Sequence, residues 1–326
     1  MNEYINKIKE RNPMAKFYSH SKLNNFNQCK RSYYYTYIDK KEQKPSVYST
    51  LGTACHTSLE RLYEGVDDTL DKSIFDNEFN KCELFGINFP KSKYDIKGGY
   101  KKDINAFYDI YKKIQGDNFI SELGFVLKVD NDHYIMGYID LIRLNKDGTA
   151  DIYDFKTSSD FGNGDHLISA SRQLILYKLA IEQLYDIHVK TVSWQMLKYV
   201  NVKVDNNTEK ISIKGREWVS KCSSQIKKLM KQKGYDIGLI EMYLNKAISE
   251  NSIECLPANI KSEITVNTYT RYFNVTDEAI EEFWDYYKNT IKDIESMDNN
   301  IDSWECKYDV FFCENLCGFN PKYCSR

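Results

Sequence analysis

Three runs rich in β-branched and aromatic residues follow one another between positions 119 and 156, and Asn145-Lys146-Asp147-Gly148 separates the last two. That tetrad suits a tight reversal, because Asn and Asp bond their own backbone and Gly accepts a positive φ. The runs at 119–129, 133–144 and 149–156 therefore read as strands, the last two as an antiparallel hairpin. Side chains two apart on a strand share a face. Asp154 and Lys156 then point one way while Phe155 turns to the core, and the neighbouring strand can bring Asp140 beside them.

Helical periodicity brackets these strands. Residues 19–37 read as a helix that Ser19 or Ser21 can cap, with Leu23, Phe26 and the tyrosines from Tyr33 to Tyr37 on its apolar side. Residues 51–63, 73–85 and 99–114 read as three more. Beyond the hairpin, 166–184 returns to helical period and 191–202 is another strand. Residues 214–233 and 276–297 are amphipathic helices, the second opened by Thr276 with Glu278 and Glu281 near its positive end. Helices, a small sheet, a helix packed on it and more helices make an α+β fold. No low-complexity linker divides the 326 residues, so one domain, 1–326, is expected.

The hairpin patch has a specific chemical use. Two carboxylates hold Mg²⁺ or Mn²⁺, hard cations that prefer oxygen ligands. A lysine beside them can orient a metal-activated water and stabilise charge building on a phosphate. Asp-x-Lys is also a common tripeptide on solvated hairpins, and taken alone it leaves that reading open.

The neighbouring segments are more specific. Gly137-Tyr138-Ile139-Asp140 followed by Ile152-Tyr153-Asp154-Phe155-Lys156-Thr157-Ser158 resembles the central motif pair of the RecB-like branch of the PD-(D/E)XK nucleases. Leu51-Gly52-Thr53-Ala54-Cys55-His56 resembles its Gly-Thr-x-x-His motif, and Gln173 through Tyr177 its Gln-x-x-x-Tyr motif. Ser19-His20-Ser21-Lys22-Leu23 through Cys29 and on to Tyr37 is similar to its opening segment. Ile139 stands where the superfamily name has Pro. The resemblance implies a restriction-endonuclease-like core, with Asp140, Asp154, Lys156 and His56 as catalytic residues. It implies His56, Asp140 and Asp154 as ligands of Mg²⁺ or Mn²⁺. Gln173 and Tyr177, at i and i+4 on one helix face, would position substrate or orient the site. Glu122, on the first strand, reads as a supporting or surface acid.

Nine cysteines in a chain of this kind are not read as a disulfide framework. Cys55, Cys82, Cys222 and Cys255 read as buried thiols. The tail carries Cys306-x6-Cys313-x3-Cys317-x6-Cys324. RecB/AddB-like nucleases, CRISPR-associated members among them, hold a [4Fe–4S] cluster with one cysteine before the histidine motif and three after the core. The resemblance implies Cys29 with Cys313, Cys317 and Cys324 as its ligands, and Cys306 as the alternative, since the spacing is wider here than in the family. Zn²⁺ is the other metal four thiolates accept, although no Cys-x2-Cys knuckle is present. Either would staple the chain's ends. The expected parts are thus 17–65 (an N-terminal helical part with the first cluster cysteine and histidine motif), 119–202 (catalytic core), 203–300 (an addition of helices and strands) and 301–326 (an iron–sulfur cap).

A net charge of −2 disfavours a protein that coats DNA, but not an enzyme that confines positive charge to one groove. Lys214, Arg216, Lys221, Lys227, Lys228, Lys231 and Lys233 form a basic run that can track phosphates or be the wet face of a helix. The 26 tyrosines supply core area and also faces for stacking unpaired bases. No recognition-helix or zinc-finger pattern suggests base readout. The chain carries no helicase P-loop, so any motor would be a separate helicase or recombination partner. No apolar run reaches the ~18 residues of a membrane span, and residues 1–16 are polar, unlike a signal peptide. The expectation is a cytoplasmic, metal-dependent DNA exonuclease of recombination, repair or phage DNA processing, with no membrane association. The alternatives are a catalytically silent DNA-end-binding module and an endonuclease of the same fold.

Overall fold

The computed structural model describes residues 1–319 and 322–324; positions 320, 321, 325 and 326 of the expected cap lie outside the described residues. The chain opens with α1 (Asn2–Arg11), β1 (Lys16–Tyr18), α2 (His20–Gln28) and α3 (Lys30–Tyr33). Then come α4 (Val47–Tyr63), α5 (Lys72–Leu84) and α6 (Ile96–Ile110). The strands β2 (Phe119–Lys128), β3 (His133–Leu144) and β4 (Ala150–Lys156) precede α7 (Asp165–Tyr185), β5 (Val189–Val204) and β6 (Lys210–Lys214). The last stretch holds α8 (Trp218–Gln232), α9 (Ile237–Glu250), α10 (Ala258–Lys261), β7 (Ile264–Phe273), α11 (Asp277–Ser296) and α12 (Val310–Asn315).

The expected hairpin forms as β3 and β4, closed by Gly148 N–H to Asn145 C=O at 3.0 Å. Among the described residues the strands make one mixed seven-stranded sheet. Its size follows from β5: along one edge the sixteen-residue strand pairs first with β4 in parallel and then with β6, and along the other it carries β7 from Val192 to Val204. β6 and β7, α9 and α1 were not foreseen. Lys210–Lys214 splits off the start of the helix expected at 214–233, because Gly215 turns the chain before Trp218 starts α8.

Three apolar clusters hold the layers. One lies between the sheet, α7 and α11 around Trp194, Phe283 and Tyr287. A second packs α4, α5 and α6 on the opposite face, with Phe155 in it as expected. The third, around Trp218, Ile226 and Ile240, joins α8 and α9 to the outer half of β5. Cys55, Cys82 and Cys222 are buried, whereas Cys255 is only half-buried. No helix among the described residues is long and apolar enough to cross a membrane.

The helix expected over 19–37 is broken. Ser19 caps α2 by accepting Lys22 N–H at 3.1 Å, but Cys29 takes an extended backbone (φ −163°, ψ 111°) before α3 resumes. That kink buries Cys29 where the tail meets the N-terminal helices. The contact is dense. Trp304 stacks on Tyr33 at 5.7 Å, Arg31 Nε donates to Trp304 C=O at 2.7 Å, and Tyr35 OH donates to Tyr323 C=O at 2.8 Å.

Candidate metal centre

The site grows from a gap in the sheet. Along one edge β3 pairs with β2 throughout. Along the other it pairs with β1 at His133 to Ile135 and with β4 from Leu141 to Leu144. The β3–β4 ladder ends at Leu141 and Tyr153, so the strands part where Asp140 would face Asp154. Phe155 N–H, left without a backbone partner by this splay, donates to Asp140 Oδ2 at 2.8 Å. One carboxylate is thereby locked at the fork.

His56 comes from α4, which packs over the end of β4. Its Nε2 lies 2.9 Å from Phe155 C=O. A carbonyl only accepts, so Nε2 carries a proton and Nδ1 is the nitrogen that a metal could take. Nδ1 sits 3.5 Å from Asp140 Oδ2. A ring nitrogen facing a carboxylate oxygen at that distance can share a cation with it.

Glu122 is the third corner. In the β2–β3 register it falls opposite Asp140, between the pairs Ser121–Leu141 and Leu123–Ile139, and it has a left-handed backbone (φ 48°). His56, Glu122 and Asp140 offer ligand atoms within 4.8 Å of one another. Like charges directly across a strand pair repel. Burial and then Asp140 push the Glu122 carboxyl up to about 7. The sequence read Glu122 as a supporting or surface acid, and the structure stands it with His56 and Asp140. Only strand register could have revealed it.

Asp154 is fully buried. Its Oδ2 lies 2.6 Å from Lys156 Nζ, while Oδ1 has no hydrogen-bond partner. Burial drives its carboxyl up to about 6, with Asp140 adding to the shift and Lys156 opposing it. A divalent cation would answer both the orphaned oxygen and the crowded charge, so the donor set fits the metal that the sequence led us to expect. Burial lowers the Lys156 pKa, but Asp154 and Asp140 outweigh it, so the ammonium stays charged.

The expected substrate-positioning pair has a nearer partner. Lys156 Nζ donates to Gln173 Oε1 at 2.9 Å, and Gln173 Nε2 donates to the buried Tyr177 OH at 2.6 Å. α7 thus aims Lys156. On the same side lies a groove of about 1240 Å³, lined by Lys156, Gln173, His20, Tyr138 and Ser159 among others. The Tyr138 ring lies on Gly124, its cross-strand partner, where a Cβ would come within 3.2 Å of the ring. His20, quoted in the opening motif without a role, lies 2.5 Å from Tyr287 OH, and burial with Lys156 and Arg172 nearby lowers it to about 3, keeping it neutral.

The alternative cysteine of the tail stands with two members of the set implied by the resemblance, Cys29 and Cys324. Cys306 Sγ lies 3.2 Å from Cys324 Sγ, both free thiols, and Cys29 adjoins Cys306. Burial and these neighbouring thiols raise Cys306 to about 12. Crowded thiols of this kind are what a bound metal or cluster would deprotonate and hold. Cys306, the alternative by spacing, therefore lies in the cluster. Cys313 is buried and Cys317 half-buried on and just after α12.

A pH prediction follows for Asp154. Its carboxyl is raised when folded, so between about pH 4 and pH 6 the folded state binds more protons than the unfolded one. Without divalent metal, the wild type should lose stability relative to Asp154→Asn as pH rises through that window, by about 1–3 kcal/mol for a buried group left unsatisfied. Urea midpoints at pH 4.5 and 7 in EDTA measure it; parallel pH curves for the two proteins would refute the assignment.

A profile of the PD-(D/E)XK nuclease superfamily matches residues 18–313, which include strands β2 to β7 and every residue of the candidate metal cluster. No curated protein matches the sequence. Members of that superfamily are nucleases, hydrolases that work with divalent metals. With a profile match over most of its length and a mixed sheet that parts at two aspartates and a lysine, this chain belongs to the PD-(D/E)XK nuclease superfamily.

Proposed function

We propose that the chain is a divalent-metal-dependent DNA exonuclease that hydrolyses phosphodiester bonds on single strands or at DNA ends. The observation that carries this is the convergence of His56, Glu122 and Asp140 beside the unsatisfied Asp154 and the charged Lys156. His56, Asp140 and Asp154, with Glu122, would hold Mg²⁺ or Mn²⁺, which when bound lowers the pKa of a water and neutralises charge on the phosphate. One imidazole among the carboxylates suits Mn²⁺ at least as well as Mg²⁺. Lys156 supplies a fixed positive charge at the groove wall, where it orients the attacking water and stabilises the phosphorane-like charge. Gln173 and Tyr177 hold that ammonium in place, so they act as positioning residues. The exposed Tyr138 ring offers an unpaired base a stacking face two residues from Asp140.

Action at ends, and a role in recombination, repair or phage DNA processing with a separate helicase or recombination protein, is supported by the RecB-like motifs. Those motifs also support a [4Fe–4S] cluster on Cys29 and three of Cys306, Cys313, Cys317 and Cys324, with Zn²⁺ as the rival. The intact set of acids and lysine weighs against a catalytically silent end-binding module.

The test uses linear DNA end-labelled on either strand and circular DNA as a control, each with Mg²⁺, Mn²⁺ or EDTA. Label release from linear DNA alone, abolished by EDTA, is expected. Cutting of the circle would make it an endonuclease, and binding without cutting would make it the silent module.

A further inference from the structure

The basic run at 214–233 does not behave as one surface. On α8, Lys221 pairs with Glu217, Lys227 with Glu241, and Lys233 just beyond the helix with Glu263. These are exposed pairs of a solvated helix face. Lys214 and Arg216 turn instead toward α6 and β5, where they meet Lys198. Lys214 pairs with Tyr199 across β5–β6, and Lys198 and Lys214 both act on Asp103 of α6. Arg216 lies so close over Gly99, in the first turn of α6, that a Cβ there would fall 1.9 Å from Nη1.

Resting on the nuclease reading above, we propose that Lys198, Lys214 and Arg216 form a binding site for one phosphate of the DNA strand held at the cleavage centre.

Charge balance is the first argument. One carboxylate faces these three cations: Asp103 lies 3.8 Å from Arg216 Nη1, and its Oδ1 accepts Arg216 N–H at 2.9 Å. Among the described residues neither Lys198 nor Lys214 forms an ion pair, although both are half-buried. Arg216 also sits at the positive end of α6, where a cation is disfavoured and an anion is stabilised. Burial, with Lys214 and Arg216 adding to it against Asp103, pushes the Lys198 ammonium down to about 8. Such a cluster lacks an anion.

Position is the second argument. Lys198 lies two residues beyond Met196, the register partner of Lys156 on the adjacent strand. Two residues span about 7 Å of strand. Lys198 Nζ reaches Ser159 Oγ at 3.5 Å, and Ser159 follows Lys156 by three residues and lines the groove. Lys198 therefore adjoins the groove of the metal centre through Ser159, while Arg216 lines the neighbouring cavity beside α6. The cluster offers ammonium, guanidinium and hydroxyl donors, the groups that hold a phosphate whatever the base. The phosphate is either internal to the strand or terminal.

The test measures binding of the full chain to a single-stranded oligonucleotide in EDTA, with either a 5′-phosphate or a 5′-hydroxyl, across about 50–200 mM salt. Lys198→Gln and Lys214→Gln are compared with Lys228→Gln on α8, and thermal unfolding shows that each variant is folded. Each of the first two is expected to weaken binding and to lower the salt slope by about 0.7, the value for one phosphate on a single strand. Lys228→Gln should change neither. Equal losses on both oligonucleotides identify an internal phosphate, and a loss confined to the 5′-phosphorylated one identifies a terminal phosphate. With Mg²⁺ the two variants should raise KM and leave kcat intact, a split that a merely structural role would not produce. Wild-type affinity and slope in both folded variants, in a protein that binds and cleaves DNA, overturns the phosphate site alone. Failure of the wild type to bind any DNA overturns the nuclease reading along with it.

Discussion

Lys156→Met lowers the cleavage rate by about 10²–10³-fold, the loss typical of removing one preorganised charge at a transition state, and Asp154→Asn abolishes detectable cleavage. Both variants should stay folded. Lys156 holds its charge through Asp154 and Asp140 and its direction through Gln173, so methionine keeps the packed stem and deletes the interaction with the reacting phosphate. Asp154 is different. It is buried at the strand fork with Oδ1 unbonded, so Lys156 compensates its charge only in part. Asparagine removes that burden and the metal ligand together, which predicts an inactive protein that is no less stable near neutral pH. Initial rates on end-labelled DNA, with circular dichroism melts, check both statements. Cleavage retained by either variant sinks the assignment, and a collapsed Asp154→Asn would mean the carboxylate is needed for structure.

The centre of this site was legible in the sequence because it is encoded locally. Asp140, Asp154 and Lys156 belong to one hairpin whose turn and period-two pattern fix which way they face. Gln173 and Tyr177 share a helix face for the same reason. Glu122 was not legible. Its partnership with Asp140 depends on the β2–β3 register and on a left-handed backbone that no propensity suggests for glutamate. The same limit hid β7, which pairs with β5 across about seventy positions of chain. It hid the split of the basic run as well, since only tertiary packing turns Lys214 and Arg216 inward. The tail cysteines fall between these cases. Their spacing announced a thiol site, and their folding together brought Cys306 into it.

If the cysteines hold the proposed metal, its loss should be the largest single blow to stability in this chain. Cys29 and Cys306 are 277 positions apart, so a metal that bridges them closes nearly the whole polypeptide. Metal binding at such a centre contributes folding free energy on the order of 10 kcal/mol, with structural zinc as the guide. Without the metal, the ends would be held only by protein contacts such as the Trp304–Tyr33 stack, Arg31 on Trp304 C=O, and Tyr35 on Tyr323 C=O. Cys306→Ser, or chelation of the anaerobically purified protein, is expected to lower the melting temperature by more than any single substitution in the cleavage centre. Residues 17–65 and 301–326 should become protease-sensitive first. α2 carries His20 and Asn24 into the groove, so cleavage should fall as the seam opens. Molecules that remain closed should still cut, because none of these cysteines reaches the acids around Asp140. Metal content and visible absorbance near ~400 nm distinguish an iron–sulfur centre from zinc. A Cys306→Ser protein with full metal content, unchanged melting and intact ends would remove this cysteine from the centre and return the assignment to Cys313, Cys317 and Cys324.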